Sequence, residues 1–385
     1  MFQDKKLKSR PSLFIDRLDY WLLVPVLLMA LIGLIVLRQV LANGYGAGTY
    51  PGNFIKQMGA VIVGCIIALI IAYLDFPSLK LMAYVVYTIS LLMLIWVKLD
   101  NFSLEAWTGA DSWIRLPIIG SFQPSELSKI GIAMVGAEML ERIRHSEIGV
   151  LKGFGILGLV YGVPTFLIIR EPDFGTSFVI LVMLALTIFV WGISWKKIFA
   201  IVLVTFAVVL PFLWFFYFED YQRNRILTIP FRGHDPALSF HTEQALKAIS
   251  QGGLTGDRSG FDVYVPVKES DSIFVAISEY LGFFGTAAVI ILSTIFFWRC
   301  FRLAMRLSED NLAACYMVTA LAGQMAFHFI ENIGMNIGLL PITGIPLPFI
   351  SDGGTSMVVN FIALGVILNI SLNESYMGLS QGASL

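Results

Sequence analysis

The stretch Val265–Gly282, VPVKESDSIFVAISEYLG, carries the residues around which the rest of the chain is organised. Its first half is polar and contains Lys268, Glu269 and Asp271, whereas its second half is an apolar, helix-forming run. A carboxylate at the point where a loop enters an apolar helix has two interpretations. Ser270 or Asp271 could cap the free amides of a helix that begins there, where an acid also suits the helix dipole. Alternatively, Asp271 serves chemistry at a membrane surface.

The composition indicates a lipid environment. Hydrophobic residues make up 57% of the 385 positions and charged residues only 14%, which is more apolar material than a single water-soluble core buries. The net charge of −1 comes from 26 basic and 27 acidic residues scattered together. This argues against a nucleic-acid partner, because phosphate binding needs a concentrated basic face. We interpret three cysteines without metal-ligand spacing as packing residues: Cys65, Cys300 and Cys315.

Ten apolar windows are each long enough to cross a bilayer as a helix. They cover residues 20–37, 55–74, 80–97, 126–143, 153–170, 175–193, 197–217, 273–298, 311–330 and 354–372. The first window follows a basic segment, but it is too long for a signal peptide and lacks a small-residue cleavage pattern. The expected fold class is an all-α polytopic membrane protein of about ten transmembrane helices, with residues 1–385 forming one integral membrane domain.

The distribution of Lys and Arg predicts the orientation. Basic residues cluster before the first window and near the connections that follow the second, fourth, sixth and eighth windows, and such clusters mark cytoplasmic segments. Residues 1–19 and 373–385 are then cytoplasmic tails. The connection 218–272, between the seventh and eighth helices, becomes a large extracellular loop. Its aromatic, glycine and charged composition predicts short surface helices around Phe240 to Ser250.

Two charged motifs interrupt the apolar helices. In the run Gln123–Lys129, a proline suits the first turn of a helix and Ser125 lies where it could cap that helix. Glu126 and Lys129 are three residues apart and share one helix face. Charges inside a membrane helix are costly. The two residues therefore either form an ion pair that neutralises both charges or line a polar cavity. The motif Arg170–Thr176 is predicted to form a tight outer turn. Its proline and glycine explain the turn, whether or not its charged residues have a further function.

A third segment, Gly338–Ser356, is apolar enough for the membrane but contains three prolines and four glycines. It cannot form a continuous helix. Irregular backbone at membrane depth is tolerated only where protein covers it or where it lines a wet cavity. We therefore expect a re-entrant or bent segment beside a site, just before the tenth helix. The plainer alternative is an apolar outer loop.

Together these stretches resemble the SEDS family of shape, elongation, division and sporulation proteins, which includes RodA, FtsW and SpoVE. The matching residues follow the family's order over nearly the whole chain. They are Gly109-Ala110 with Trp113, Gln123-Pro124-Ser125-Glu126 with Lys129, Glu171-Pro172-Asp173 with Gly175-Thr176, Pro266 with Asp271, Glu279 and Leu281-Gly282, Asn332-Ile333-Gly334, and Gly344 through Phe349 to Gly353-Gly354. The resemblance does not separate a role in elongation from one in division or sporulation.

The resemblance implies a peptidoglycan glycosyltransferase that polymerises lipid II at the outer face of the bacterial cytoplasmic membrane. It also implies a partner, a class B penicillin-binding protein, which is a single-span transpeptidase. Asp271 falls on the family's essential aspartate, and Glu126 and Lys129 fall on its buried polar pair.

Glycan extension requires a base and a positive charge. A carboxylate can take the proton of the attacking sugar hydroxyl, and Asp271 is the candidate for this catalytic role. Charge develops on the departing lipid diphosphate, where Lys, Arg or a divalent cation such as Mg²⁺ or Mn²⁺ would stabilise it; no other cofactor is evident. The expected substrate-binding residues are Trp113, Glu126, Lys129, Arg223, Lys268 and Glu279, with Arg225 a further candidate by charge.

Several residues depart from the family pattern close to these positions, among them Lys268, Ser270 and Ser272. Three further departures bear on charge or substrate binding. Glu269 adds a negative charge beside Asp271, which would raise the pKa of that aspartate and make it a better base, or would hold a cation. Ser112 stands where an arginine commonly precedes Trp113. Asp352 stands where a tyrosine commonly precedes the paired glycines.

Two other functions remain open at this point. A flippase that moves the lipid-linked precursor across the bilayer would use similar intramembrane charges and a broken helix. A non-catalytic scaffold would only position the penicillin-binding protein. The polar motifs crowd at the outer ends of the helices, which favours surface chemistry over a flipping pathway.

Overall fold

The computed structural model describes residues 11–43, 52–99, 112–116, 120–171, 173–204, 207, 210–216, 220–227, 236–257 and 262–382. Within them, helices and a two-stranded antiparallel hairpin follow one another along the chain. They are α1 (Pro11–Arg17), α2 (Tyr20–Ala42), α3 (Gly52–Tyr73), α4 (Phe76–Leu99), β1 (Ile114–Leu116), β2 (Gly120–Phe122), α5 (Pro124–Arg144), α6 (Val150–Ile169), α7 (Phe174–Trp191), α8 (Trp195–Val204), α9 (Leu210–Phe216), α10 (Asp220–Leu227), α11 (Pro236–Gly252), α12 (Ile273–Asp310), α13 (Leu312–Asn336) and α14 (Gly354–Gly382).

In its described residues each of the ten apolar windows is almost entirely helical, so the all-α polytopic fold class is confirmed. Eight helices of the described ranges are long and apolar enough to cross a membrane: α2, α3, α4, α6, α7, α12, α13 and α14. The fourth window is α5, which matches the others in length but carries buried charges. The described residues of the seventh window include most of α8 and all of α9.

Two helices extend beyond the windows that predicted them. The eighth window ends at Trp298, but α12 continues to Asp310. Similarly, α14 continues to Gly382 through most of the predicted tail 373–385. Arg, Leu, Met and Glu are good helix formers in water as well as near lipid. Charged residues therefore end an apolar stretch of the sequence, but the helix continues through them.

Ion pairs join the helices at the end of the bundle where the basic residues lie. They are Lys80–Glu141 (3.0 Å), Arg299–Asp19 (2.7 Å) and Arg306–Glu374 (3.1 Å). Asp271 lies before the opposite end of α12, and the helix between Ile273 and Arg299 rises roughly 40 Å, about the thickness of a bilayer with its headgroups. The end of the bundle near Asp271 is called the outer end below. The orientation from which this name is taken, with the basic end in the cytoplasm, stays a prediction.

The helices α13 and α14 form the centre of the bundle. Their spans are 72% and 83% buried, against 22% for α4. Small residues allow α14 to approach α3 closely: a Cβ on Gly365 would lie 2.8 Å from Ala68 Cα, and one on Gly64 would lie 2.5 Å from the Phe361 ring. Lipid tails are as apolar as these side chains, so close packing of this kind is what holds membrane helices together.

The outer helix α11 is fixed on a kink in α12. The kink is at Gly282, whose φ of 65° and ψ of −159° suit glycine. The loop after α11 supplies acceptors for amides beyond the kink, because Phe283 N–H donates to the Gly253 carbonyl (2.9 Å) and Phe284 N–H to the Leu254 carbonyl (3.2 Å). The kink and the loop therefore depend on each other.

Helix α11 covers the region in which surface helices were predicted, around Phe240 to Ser250. Its apolar face contributes to a small core separate from that of the bundle, made of Ala245, Ala248, Val263, Val265 and Val275. This core attaches the turn that carries Asp271 to the outer part of α12.

Replacement of Gly252 tests this attachment. Gly252 ends α11, and a Cβ there would lie 1.9 Å from the Ser278 carbonyl oxygen. Since backbone atoms must shift, we expect Gly252→Ala to destabilise the fold by about 1–3 kcal/mol and to lower the thermal unfolding midpoint of the purified protein. The matched control is Gly155→Ala in α6, where nothing lies within 4 Å of the added carbon. Equal midpoints for the two variants would contradict the docking of α11 on α12.

Candidate functional site

Asp271 lies in a tight turn before α12. The turn closes through the Ser272 amide, which donates to the Val267 carbonyl (3.1 Å). Ser272 is the N-cap of α12, but its hydroxyl donates to the Pro266 carbonyl (3.1 Å) and makes no bond to the helix amides. Ser270 donates its hydroxyl to Asp271 Oδ1 (3.2 Å). The expectation that Ser270 or Asp271 caps the helix is therefore wrong, because the turn moves the helix start beyond both residues.

Two buried asparagines of α13 hold the backbone of Asp271. The Asn332 side-chain amide donates to the Asp271 carbonyl (2.9 Å) and to the Ile345 carbonyl (2.8 Å), and the Asn336 amide donates to the Asp271 carbonyl (3.0 Å). Neither asparagine is exposed. A buried carbonyl left without a donor costs about 1–3 kcal/mol, so these amides determine where the turn lies.

The segment 337–353, here called the broken segment, is bent, and protein covers its second half. Leu339 is exposed, whereas Phe349 is buried. Its polar groups are bonded on two sides: the Ser351 hydroxyl donates to the Ser270 carbonyl (2.7 Å), and the Gln57 side-chain amide of α3 donates to the Ser351 carbonyl (2.8 Å). Irregular backbone at this depth needs such partners. The bond from Ser351 joins the broken segment to the turn of Asp271, and the bond from Gln57 joins it to α3.

The Asp271 carboxylate has surroundings that favour its neutral form. Its side chain is half-buried, and its Oδ2 lies so close to Gly344 that a Cβ there would come within 3.2 Å. Burial raises the pKa of Asp271 to about 7, and the charge of Glu269 also raises it, whereas the Ser270 hydroxyl and the charge of Arg225 lower it. The predicted effect of Glu269 is confirmed in direction. Asp271 therefore changes protonation near neutral pH, as a general base should.

Asp352 is a second acid at this outer end. Its amide donates to the Glu269 carbonyl (3.0 Å). Burial raises the pKa of Asp352 to about 6, the charge of Glu269 adds to this rise, and Lys56 opposes it. Glu269 and Asp352, both departures from the family pattern, are therefore neighbours, and the charge of Glu269 disfavours that of Asp352.

Lys268 and Glu279 belong to a buried ion cluster. Lys268 is fully buried and its Nζ pairs with Asp262 and Glu279. The Val263 amide donates to Glu279 Oε1 (2.9 Å), and the Tyr280 hydroxyl donates to Asp262 Oδ2 (2.8 Å). A lysine whose charge is already matched inside the protein is not available to a diphosphate. The structure thus does not support Lys268 and Glu279 as substrate-binding residues, and it gives them the task of holding the end of the outer loop.

Glu126 and Lys129 form the buried ion pair that their spacing predicted. Lys129 Nζ lies 2.7 Å from Glu126 Oε1 and 3.2 Å from His328 Nε2 on α13. An ammonium group only donates, so Nε2 of His328 accepts. Beside this cluster, the Gln123 side-chain amide donates to Asp173 Oδ2 (3.1 Å). The polar groups of three helices, α5, α7 and α13, therefore meet inside the bundle.

The caps of α5 and α7 differ from each other. Helix α5 begins at Pro124 as predicted, but its N-cap is Gln123 and neither Gln123 nor Ser125 makes a side-chain capping bond among the described residues. Helix α7 is capped by Asp173, whose Oδ1 accepts from the Thr176 amide (3.0 Å). Burial raises the pKa of Asp173, and the Thr176 amide lowers it. The charged outer turn therefore has a structural role.

Trp113 is half-buried directly before β1. The hairpin that follows reaches α14 through the Thr355 hydroxyl, which donates to the Ser121 carbonyl (2.9 Å). This contact places Trp113 near the end of the broken segment. The Gly109-Ala110 part of the same motif lies outside the described residues.

The two candidate arginines on α10 lie differently with respect to Asp271. Arg223 donates to the Trp214 carbonyl (3.1 Å) and pairs with Asp220 (3.3 Å). Arg225 is exposed, lines a cavity of about 40 Å³ between α11 and the broken segment, and acts electrostatically on Asp271. Arg225 is therefore better placed than Arg223 to meet a substrate anion.

Several residues of the site were not singled out from the sequence. They are Gln57, His328, Glu331 and Asn336. A signal was present, because His328, Asn332 and Asn336 recur every four residues on α13 and therefore lie on one face. Three polar groups on one face of a membrane helix indicate a polar interface or a cavity.

The described residues do not build a metal site. No group of three or more His, Cys, Asp or Glu side chains among them could hold an ion, and hard cations such as Mg²⁺ and Mn²⁺ need several oxygen ligands. No step proposed below passes through a metal.

Comparison with known proteins identifies the family. The family model described as "Cell cycle protein", which represents FtsW, RodA and SpoVE, matches residues 20–376. The chain belongs to the FtsW/RodA/SpoVE family. This FtsW/RodA/SpoVE member is a multi-pass protein of the cytoplasmic membrane.

Relatives of this FtsW/RodA/SpoVE protein match it over nearly their full lengths. The peptidoglycan glycosyltransferase MrdB of Escherichia coli (strain K12) is 29% identical over 363 residues, which cover 92% of this chain and 95% of MrdB. Stage V sporulation protein E of Bacillus subtilis (strain 168) is 30% identical over 369 residues, which cover 93% of this chain and 98% of the relative.

Solved structures share the fold. A chain from a peptidoglycan synthase complex, described as coordinating polymerization and crosslinking, aligns with a TM-score of 0.75 and 25% identity over 92% of this chain and 98% of its own length. The rod shape determining protein RodA of Thermus thermophilus aligns with a TM-score of 0.66 and 24% identity over 92% of this chain and 96% of its own. The second likeness concerns the fold alone.

Replacement of Asn332 tests how the turn is held. We expect Asn332→Ala to remove the donor to the Ile345 carbonyl and to leave the Asp271 carbonyl with the Asn336 amide alone, at a cost of about 1–3 kcal/mol. Hydrogen exchange in peptides of the broken segment should then be roughly 5- to 150-fold faster. Asn373→Ala is the matched control, since Asn373 donates to Asn369 (2.9 Å) far from the site. Unchanged exchange in the Asn332 variant would contradict the role given to this amide.

Proposed function

We propose that this chain is a peptidoglycan glycosyltransferase that polymerises lipid II into glycan strands at the outer face of the cytoplasmic membrane, with Asp271 as general base. The observation that carries the proposal is the half-buried carboxylate of Asp271, which titrates near neutral pH at the end of the bundle opposite the basic residues. The name of the E. coli relative supports the reaction class.

The proposed step transfers one glycosyl group. The acceptor hydroxyl oxygen attacks the anomeric carbon of the donor and forms the new glycosidic bond, while the bond from that carbon to the lipid diphosphate breaks and its electron pair leaves with the diphosphate. The hydroxyl proton moves to the Asp271 carboxylate. Because Asn332 and Asn336 fix its backbone, the base needs little reorganisation to accept the proton.

Positive charge for the leaving diphosphate comes, in this proposal, from Arg225. It is exposed beside the cavity between α11 and the broken segment. Lys129 is matched by Glu126 within the bundle, so we assign this pair to positioning α5. A divalent cation such as Mg²⁺ or Mn²⁺ would neutralise charge on the diphosphate, but the described residues form no group that could hold it, so the proposed step does not depend on one.

We also propose a class B penicillin-binding protein as the partner. One structural neighbour is part of a peptidoglycan synthase complex, and polymerisation produces the strands that a transpeptidase crosslinks. Assays of the polymerase are therefore designed with the complex, in which the transpeptidase is inactivated.

Replacement of Asp271 tests the proposal. Removal of a general base slows the chemical step typically 10²- to 10⁴-fold, so we expect Asp271→Asn to abolish detectable lipid II polymerisation by the reconstituted complex while its thermal unfolding midpoint stays near that of the wild type. The matched control is Asp352→Asn, a neighbouring acid with a raised pKa to which no chemical role is given. This control should keep most of the activity.

The same assay separates the alternatives. Full polymerisation by the Asp271→Asn variant would contradict the assignment of the base. If the wild-type complex moves labelled lipid II between leaflets of liposomes but forms no glycan, the flippase hypothesis is correct. If it neither moves nor polymerises lipid II and only recruits its partner, the scaffold hypothesis is correct.

The rate should depend on pH through Asp271. A base acts in its deprotonated form, and the pKa of Asp271 is raised to about 7, so kcat/KM should increase as pH rises through about 7 and should fall about tenfold per pH unit on the acid side. Initial rates measured with lipid II in buffers of constant ionic strength give this profile. A rate that stays constant well below pH 6 would be inconsistent with Asp271 as the base.

A further inference from the structure

Glu331 is a buried acid of α13 that the proposed step does not use. It is only 3% exposed, and it lies within a membrane-spanning helix. Its Oε1 accepts from the Thr343 hydroxyl, and its Oε2 has no hydrogen-bond partner within the part of the chain that the structure describes. A buried carboxylate with so little compensation is expensive and is expected to have a function.

The contacts of Glu331 lead to Asp271 by two routes. Along the broken segment, Thr343 bonds to Glu331, and the next residue, Gly344, packs against Asp271 Oδ2. Along α13, the residue after Glu331 is Asn332, whose amide donates to the Asp271 carbonyl (2.9 Å). The two carboxylates therefore lie on either side of residues 343–344, and the charge of Asp271 acts on Glu331.

We propose that Glu331 is a positioning residue of the site: through Thr343 it holds the broken segment against Asp271, and through its charge it sets the pH at which Asp271 becomes a base. Two nearby carboxylates do not ionise independently, since each charge disfavours the other. The inference rests on the proposed function for its catalytic meaning, but the coupling of the two acids is a property of the protein alone.

The other charges that face the pair are identified. Glu269 belongs to the same turn as Asp271, and Arg225 approaches from α10. Glu269 and Lys56 also act on Asp352, at the end of the broken segment. None of these is altered when Glu331 is replaced, so a change in the titration of Asp271 can be assigned to Glu331.

The deciding variant is Glu331→Gln. Glutamine has the same shape and keeps an oxygen that can accept from the Thr343 hydroxyl, but it removes the charge. Without that charge the deprotonated form of Asp271 is less disfavoured, so the pKa of Asp271 should fall. A unit charge several ångströms away at a protein–water boundary shifts a pKa by on the order of one unit.

Infrared titration of the purified protein in lipid nanodiscs measures this shift without any assay of activity. Subtracting the spectrum of Asp271→Asn from that of the wild type isolates the band of the protonated Asp271 carboxyl. For the protein without Glu331, the spectrum of the double variant Glu331→Gln, Asp271→Asn is subtracted from that of Glu331→Gln. We expect the midpoint to fall by on the order of one pH unit, and the acid limb of kcat/KM to move with it. An unchanged midpoint would overturn the proposal.

Two further variants separate charge from contact. Glu331→Asp keeps the charge and should leave the midpoint close to that of the wild type. Thr343→Val removes the hydroxyl that bonds to Glu331 and keeps both acids, so it should lower kcat by about tenfold, the value of one hydrogen bond of about 1.4 kcal/mol. A wild-type kcat in Thr343→Val would overturn the positioning role.

The outcome is distinguishable from failure of the proposed function. If Glu331→Gln moves the infrared midpoint but the wild-type complex forms no glycan, the coupling stands and the glycosyltransferase proposal fails. If the complex polymerises lipid II and Asp271→Asn does not, but the midpoint is the same with and without Glu331, the function stands and this inference fails.

Discussion

The side-chain amide of Asn332 donates at once to the carbonyls of Asp271 and Ile345, and the arrangement of the outer end depends on this pair of bonds. Backbone that is neither helix nor barrel persists at membrane depth only when its polar groups find partners within the protein. The turn before α12 and the broken segment are both backbone of this kind. One buried asparagine, with Asn336 and Ser351 beside it, satisfies both elements together.

Two buried ion clusters hold the neighbouring parts of the outer end in place around that pair of bonds. Lys268 with Asp262 and Glu279 holds the end of the outer loop against α12, and Lys129 with Glu126 joins α5 to His328 of α13. Buried ion pairs contribute more to a defined geometry than to net stability, because desolvation offsets much of their attraction. For the base that we propose, which must be placed to within a fraction of an ångström, this geometry is the relevant gain.

The sequence predicts the helices well and the site only in part. Apolar windows locate every span because a bilayer demands about twenty apolar residues in each, and the spacing of Glu126 and Lys129 predicts their pair. The partners of Lys268 could not be predicted, since Asp262 and Glu279 approach it only through the docking of the loop. The cap expected at Ser270 or Asp271 failed for a similar reason: the turn that displaces the helix start is set by asparagines more than sixty residues later.

A structure of the complex trapped with a donor analogue and an acceptor saccharide tests the central claim most directly. The measured quantity is the distance between the acceptor hydroxyl oxygen and the nearer carboxylate oxygen of Asp271. The account predicts a distance of about 2.6–3.2 Å, within hydrogen-bond reach, with the diphosphate on the side of Arg225. An acceptor bound elsewhere, with Asp271 still packed against Gly344 and out of reach of both substrates, would contradict it.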